Sequence, residues 1–121
     1  SETWAVVGDL TALYDLAAPF VLEQIDCQGR VLAVINNGGG KIFERLPRLQ
    51  TMSPRAAEWM TNPQAADLSG FATLWGMNHL RIRTVDDFDK FEPGDKTLLL
   101  EIVPDAAQTT AFWAAWDRIA H

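Results

Sequence analysis

Apolar residues along this chain fall alternately into short continuous runs and helix-spaced stripes. Trp4 to Val7 is an apolar run closed by Gly8-Asp9, and Val31 to Ile35 is five apolar residues, three of them β-branched. Runs this short, without polar alternation, predict strands buried on both faces. Thr97 to Val103 predicts another clear strand, and His79 to Ile82 a shorter one. Between the first two, Leu13, Leu16, Ala17, Phe20 and Val21 fall at i, i+3, i+4, i+7 and i+8, the stripe of an amphipathic helix. Pro19 interrupts it, predicting a short turn and a helix that restarts near Pro19 and closes at Gly29. From Glu44 to Pro63, prolines and mixed charge erase the periodicity. That stretch predicts a long loop, unordered without packing partners, with one short helix at Arg55 to Met60. Asp67 is placed to cap a helix carrying Leu68, Phe71, Ala72 and Trp75 and stopped by Gly76. A further helix falls around Val85 to Phe91. The last follows Asp105 and Gln108, near capping-box spacing, and carries Phe112, Trp113, Trp116 and Ile119 on one face.

Strand and helix alternate throughout, which predicts an α/β fold: a doubly wound, mainly parallel sheet with helices on both faces. At 121 residues the chain is one domain, residues 1–121, with room for one core. No uncharged apolar run approaches the roughly 20 residues a membrane span needs, and no basic flank precedes an apolar stretch at the start. The reading is therefore no membrane and a cytoplasmic location. Ten basic against sixteen acidic residues, net charge −6, argue against nucleic acid as a partner. Cys27 is the single cysteine, and with His79 and His121 it is too little for a zinc cluster. Trp4 and Trp75 are expected in the core. In a larger protein, some of the five tryptophans would face another domain and stand exposed here.

In doubly wound sheets ligands bind beyond the carboxyl ends of the strands. The two unusual clusters, Gly8-Asp9 and Asn36-Asn37-Gly38-Gly39-Gly40, both fall there. Asp9 offers a carboxylate, Asn37 an amide oxygen, and the glycines a backbone that a ligand can approach closely. Hard oxygen donors without Cys or His suit Mg²⁺ or Ca²⁺. A single carboxylate suits Mg²⁺ completed by substrate phosphates. A helix starting after Asp9 would aim free N–H groups at such a phosphate, with the Thr11 hydroxyl beside them. Each cluster alone also reads as a turn and a helix cap; together they point to a metal–phosphate site.

Gly8-Asp9-Leu10, then 25 residues, then Asn36-Asn37 resembles the diphosphate-binding motif of thiamine diphosphate (ThDP) enzymes, usually written Gly-Asp-Gly followed by Asn-Asn. Leu10 departs from it, leaving the metal ligand in place and tightening the backbone approach. The longer strings Gly8 to Leu16 and Asn36 to Pro47 resemble the MenD family, the 2-succinyl-5-enolpyruvyl-6-hydroxy-3-cyclohexene-1-carboxylate synthases. The Ile42-Phe43 pair and Leu46-Pro47 distinguish that branch. The resemblance implies that Asp9, Asn37 and the carbonyl of Gly39 hold Mg²⁺ or Mn²⁺. It implies that Gly8, Leu10 and Thr11 flank the diphosphate, and that Ile42 and Phe43 lie near the cofactor rings. Leu46 is divided evenly between a substrate contact and an ordinary loop anchor.

Family members carry a pyrimidine-binding, a central and a C-terminal diphosphate-binding domain. The chain then reads as an excised C-terminal fragment, with the first two domains as missing partners and a homodimer or homotetramer as the full-length form. The glutamate that activates the cofactor belongs to a missing domain, so no catalytic residue is assigned to this chain, and Glu23 and Glu44 are not candidates. The implied full-length activity is that of a ThDP-dependent transferase of menaquinone biosynthesis: decarboxylation of 2-oxoglutarate and addition of the resulting carbanion to isochorismate. The fragment alone is expected to be inactive. The alternatives are another ThDP carboligase or 2-oxoacid decarboxylase and, from another class, a non-catalytic phosphate- or nucleotide-binding module. Arg45, Arg48 and Arg55 read as solvated loop residues. His79, with no acid near it in sequence, is given no catalytic role.

Overall fold

The computed structural model describes residues 1–120; His121, weighed above as a metal ligand, lies outside them. Four parallel strands form one sheet in the order β1-β2-β4-β3, with β1 Thr3–Gly8, β2 Arg30–Ile35, β3 Asn78–Ile82 and β4 Leu98–Ile102. Helix α1 (Asp9–Tyr14) leaves β1 directly, and a 3₁₀ helix, Ala18–Gln24, leads towards β2. Another 3₁₀ turn (Lys41–Arg45), α2 (Pro47–Gln50), α3 (Pro54–Thr61) and α4 (Leu68–Leu74) separate β2 from β3. A 3₁₀ helix, Val85–Lys90, links β3 to β4, and α5 (Ala106–Ala120) ends the chain. This is the α/β architecture with a parallel sheet that strand–helix alternation implies.

The period-two alternation of side chains divides the sheet residues between its faces. Val34 of β2 and Leu99 of β4 join Ala12, Leu68, Phe71, Ala72 and Met77 in the larger core cluster, under α1 and α4. Val31, Ala33, Leu100 and Ile82 form the cluster on the opposite face, with Phe91 packed against it. Helix α4 is held as its sequence requires: the Asp67 carboxylate accepts the Ser69 N–H at 2.9 Å. Leu68 in its first turn is 1% exposed. Leu68→Ala is expected to cost about 2–5 kcal/mol. Trp116→Ala, at a residue 53% exposed on α5, is expected to stay within about 0.5 kcal/mol. Denaturant unfolding of the two variants checks both.

Several expectations are revised. The stripe through Leu16, Phe20 and Val21 does not become a buried helix: a 3₁₀ helix runs from Ala18 with Pro19 in its first turn, and those three side chains remain exposed. Gly29 lies past that helix, in the turn into β2, where its carbonyl accepts the Thr3 N–H at 2.9 Å. The stretch from Glu44 to Pro63 is not a loop with one helix. The expected helix at Arg55 to Met60 is present as α3, but further helical turns precede it, each opened or bounded by the prolines, and the side chains stay largely at the surface. The α5 stripe forms as predicted, yet none of its residues is buried, and Phe112, Trp113, Trp116 and Ile119 are all exposed. Trp4 is likewise exposed on the edge strand β1, against Phe91, whereas Trp75 packs half-buried against the larger cluster.

Candidate functional site

Gly8 pairs with Ile35 across β1 and β2, so the residues that follow, Asp9 and Asn36, emerge side by side at the carboxyl ends of neighbouring strands. Asp9 is 3% exposed, and its carboxylate organises the loop above it. Oδ2 accepts the N–H groups of Gly38 at 2.9 Å and Gly39 at 2.8 Å, together with Gln64 Nε2 at 2.7 Å. Oδ1 accepts the N–H of Leu10 at 2.8 Å. A buried carboxylate needs such donors, because water is no longer there to solvate it.

The glycine loop in turn is laced to the end of α3. The Gly40 N–H donates to the Thr61 carbonyl at 2.5 Å, and the Gln64 N–H to the Gly38 carbonyl at 3.1 Å. Gly39 adopts φ +131°, and a Cβ there would lie 2.7 Å from the Asn62 carbonyl oxygen. Only glycine satisfies both the dihedral and the space.

A second carboxylate lies on the same sheet face. Glu101 of β4 pairs with Val34 and Arg81, and is 1% exposed. Its Oε1 faces His79 Nε2 at 3.0 Å and Arg81 Nε at 3.2 Å. Its Oε2 accepts from Arg81 Nε at 3.1 Å and Asn36 Nδ2 at 3.2 Å. Burial opposes the ionised form of Glu101. Hydrogen bonds from Arg81, His79 and Asn36, with the charge of Arg81, outweigh it and hold the carboxyl below its ordinary value. His79 Nε2 must therefore carry the hydrogen it shares with Oε1. Because the folded value is lowered, Glu101 contributes stability that is complete above the ordinary glutamate pKa and drains away as pH falls through the folded value. The stability difference between the wild type and Glu101→Gln is thus expected to be largest near neutrality and to shrink below about pH 4, read by urea unfolding across pH.

Gln64 joins the two carboxylates. Its Nε2 donates to Asp9 Oδ2 and also, at 2.9 Å, to Asn36 Oδ1, while its Oε1 accepts the Ala66 N–H at 2.7 Å. Among the described residues, no three His, Cys, Asp or Glu side chains converge as a metal cluster. The oxygen set anticipated from the sequence is of a different kind: one carboxylate, one amide and one backbone carbonyl.

No protein-family model matches the chain. It is 43% identical over 111 residues to the 2-succinyl-5-enolpyruvyl-6-hydroxy-3-cyclohexene-1-carboxylate synthase of Akkermansia muciniphila, an alignment covering 90% of this chain and 21% of that protein. The synthase of the same name from Bdellovibrio bacteriovorus is 32% identical over 118 residues, covering 98% of this chain and 21% of the relative. That of Pectobacterium atrosepticum is 35% identical over 127 residues, covering 96% and 22%. The chain belongs to this synthase family, as one segment of it. It spans about a fifth of the length of the curated relatives it matches.

In this chain the two sequence clusters do come together. Gly8, Asp9, Leu10 and Thr11 open α1, and Gly38 and Gly39 close over the Asp9 carboxylate. Asn37, between Asn36 and the glycines, is exposed, and the Gly39 carbonyl accepts the Lys41 N–H at 2.8 Å. Ile42 and Phe43 belong to the 3₁₀ turn after the glycines, where Ile42 is 78% exposed. The Phe43 ring lies over Gly40, within 3.0 Å of where a Cβ would be. Leu46, also exposed, follows that turn. Arg45, expected to be solvated, donates to Asp117 at 2.7 Å and lies 3.9 Å above the Trp113 ring, tying the turn to α5.

Sequence reasoning missed Gln64 and Glu101. The signal for Glu101 was present: a single carboxylate inside the apolar strand Leu98–Ile102 requires partners. For Gln64, among the turns after Pro63, no local pattern marks it.

Proposed function

We propose that this segment is the diphosphate- and metal-anchoring domain of a ThDP-dependent synthase of menaquinone biosynthesis. In this reading the intact protein decarboxylates 2-oxoglutarate and joins the product to isochorismate. One observation carries the reading: a buried carboxylate at a strand's carboxyl end gathers the N–H groups of a glycine loop from the neighbouring strand. The relatives' printed names supply the class of reaction.

The donor set fits Mg²⁺ or Mn²⁺. Asp9, Asn37 and the Gly39 carbonyl offer only hard oxygens, and Oδ1 of Asp9 accepts one hydrogen bond among the described residues against three at Oδ2. These three residues would hold the metal, Gly8, Leu10 and Thr11 would flank the diphosphate, and Ile42 and Phe43 would border the rings, with Leu46 towards substrate. ThDP, when bound, supplies the electron sink for decarboxylation and carbon–carbon bond formation. The chain's own part is anchoring. Asp9 fixes the glycine loop, and the loop fixes the carbonyl of Gly39. The remaining domains of the protein, in a homo-oligomer, would complete the pocket and supply the activating glutamate.

The test is CO₂ release from 2-oxoglutarate by the intact protein with ThDP and Mg²⁺, with and without isochorismate. Release coupled to isochorismate consumption is the expected result. Release indifferent to isochorismate would make the protein a decarboxylase or another carboligase. ThDP-independent binding of phosphate compounds, with no turnover of any 2-oxoacid, would leave a phosphate-binding module.

A further inference from the structure

The network joining Glu101 to Asp9 has a fixed direction. At one end, the Ala66 N–H can donate only to an oxygen, which assigns Oε1 of Gln64 and turns both N–H groups of Nε2 towards Asp9 and Asn36. At the other end, Glu101 Oε2 can only accept, so Asn36 must present Nδ2 to it and keep Oδ1 for Gln64. Neither amide can turn over without setting donor against donor. Glu101 is itself locked by Arg81 and His79 from β3. A chain of hydrogen bonds thus runs from β3 and β4, through Asn36 and Gln64, to the oxygen of Asp9 that also holds Gly38 and Gly39.

We propose that Glu101 and Gln64 are positioning residues: acting through Asn36, they fix the orientation of the Asp9 carboxylate and so set the affinity of the site for Mg²⁺ and the ThDP diphosphate. This rests on the anchoring role proposed above. Glu101→Gln places an NH₂ group against either Asn36 or Arg81. Relieving the clash at Asn36 reverses that amide and then opposes it to Gln64, which releases Asp9. Gln64→Met keeps the length of the side chain and removes both donors at once. Because the two changes interrupt one path, their effects on binding should not multiply.

The experiment is a double-mutant cycle in the intact synthase, with the Kd for ThDP at fixed Mg²⁺, and for Mg²⁺ at fixed ThDP, measured by calorimetry. Glu101→Gln and Gln64→Met are each expected to weaken binding by about tenfold or more. The double variant should bind no worse than Gln64→Met alone. At saturating ThDP and Mg²⁺, kcat should remain within about threefold of wild type, since the defect is in affinity. Thermal unfolding without cofactor separates these effects from loss of fold. If Glu101→Gln does not fold, the pair Gln64→Met and Asn36→Ala carries the same cycle. Wild-type affinity in the single variants, or losses that multiply in the double variant, would overturn the positioning role. Asp9→Ala in the same assay keeps the two readings apart. If Asp9→Ala binds ThDP normally, the anchoring function fails; if it alone loses binding, only the Glu101–Gln64 path fails.

Discussion

If the proposed anchoring role holds, Asp9→Ala in the intact protein is expected to abolish Mg²⁺-dependent ThDP binding, a loss of more than about 100-fold against the 10–100-fold typical of outer-sphere partners. Two effects combine. The substitution deletes the sole carboxylate among the residues proposed to hold the metal. It also leaves the Gly38 and Gly39 N–H groups and Gln64 Nε2 without the acceptor they share. A donor left unpaired in a buried place costs about 1–3 kcal/mol, so the loop should loosen even without cofactor. Asp9→Asn separates the two contributions. It keeps an oxygen for one side of the site, while its NH₂ group must face either Leu10 or the glycine N–H groups. Calorimetric titration with ThDP, with and without Mg²⁺, reads the binding; unfolding of the cofactor-free protein reads the loop. Retained ThDP affinity in Asp9→Ala would remove the metal–diphosphate assignment.

Gly39→Ala should be the most damaging single-methyl addition in the chain. At φ +131° a side-chain-bearing residue is strained by about 1–3 kcal/mol, before any contact is considered. The new methyl would also meet two backbone carbonyls, Asn62 at 2.7 Å and Thr61 at 2.8 Å, neither of which can swing aside as a side-chain end can. The expected result is a stability loss of at least about 2 kcal/mol together with loss of Mg²⁺-dependent binding. Gly94→Ala, where nothing lies within 4 Å of the added Cβ, is the control and should be close to neutral. Equal stability of the two variants in urea unfolding would show that the loop is not held as tightly as the Thr61 and Asn62 contacts require.

The strands were legible in position: β1, β2, β3 and β4 lie within a residue or so of the segments that predict them. Only the central strands β2 and β4 are largely buried, while edge strand β1 has no buried residue and β3 only Ile82, so the two-faced burial expected of β1 is not found. The helical stretches were less legible, for physical reasons that differ by place. At Pro19 the backbone constraint overrode a well-spaced stripe and gave a 3₁₀ turn. Between Lys41 and Gln50 short turns succeed one another without a buried face, so no periodicity records them, whereas α3 matches the short helix expected at Arg55 to Met60. On α5 the stripe was real, but none of its residues is buried, and Trp113 meets the Arg45 guanidinium rather than a core. At the site, Asp9 and the glycines could be found because strand ends and glycine runs are local features. Glu101 could be marked as a carboxylate inside an apolar strand, but its partners Asn36, His79 and Arg81, and the place of Gln64, could not, since residues 55 and 65 positions apart in sequence meet only in the folded chain.

That strand order also decides which changes in length the molecule can absorb. Asp9 and Asn36 each lie one step beyond the last paired residues of β1 and β2, on the face that Glu101 shares through Val34. Residues added at exposed positions between Tyr14 and Gln28, away from buried Pro19 and half-buried Leu22, would lengthen the connection and leave both strand ends where they are. A single residue inserted within β2 would instead turn Asn36 to the opposite face of the sheet, away from both Glu101 and Gln64. Between the two sequence clusters, then, the number of residues can drift, while the parity of β2 cannot.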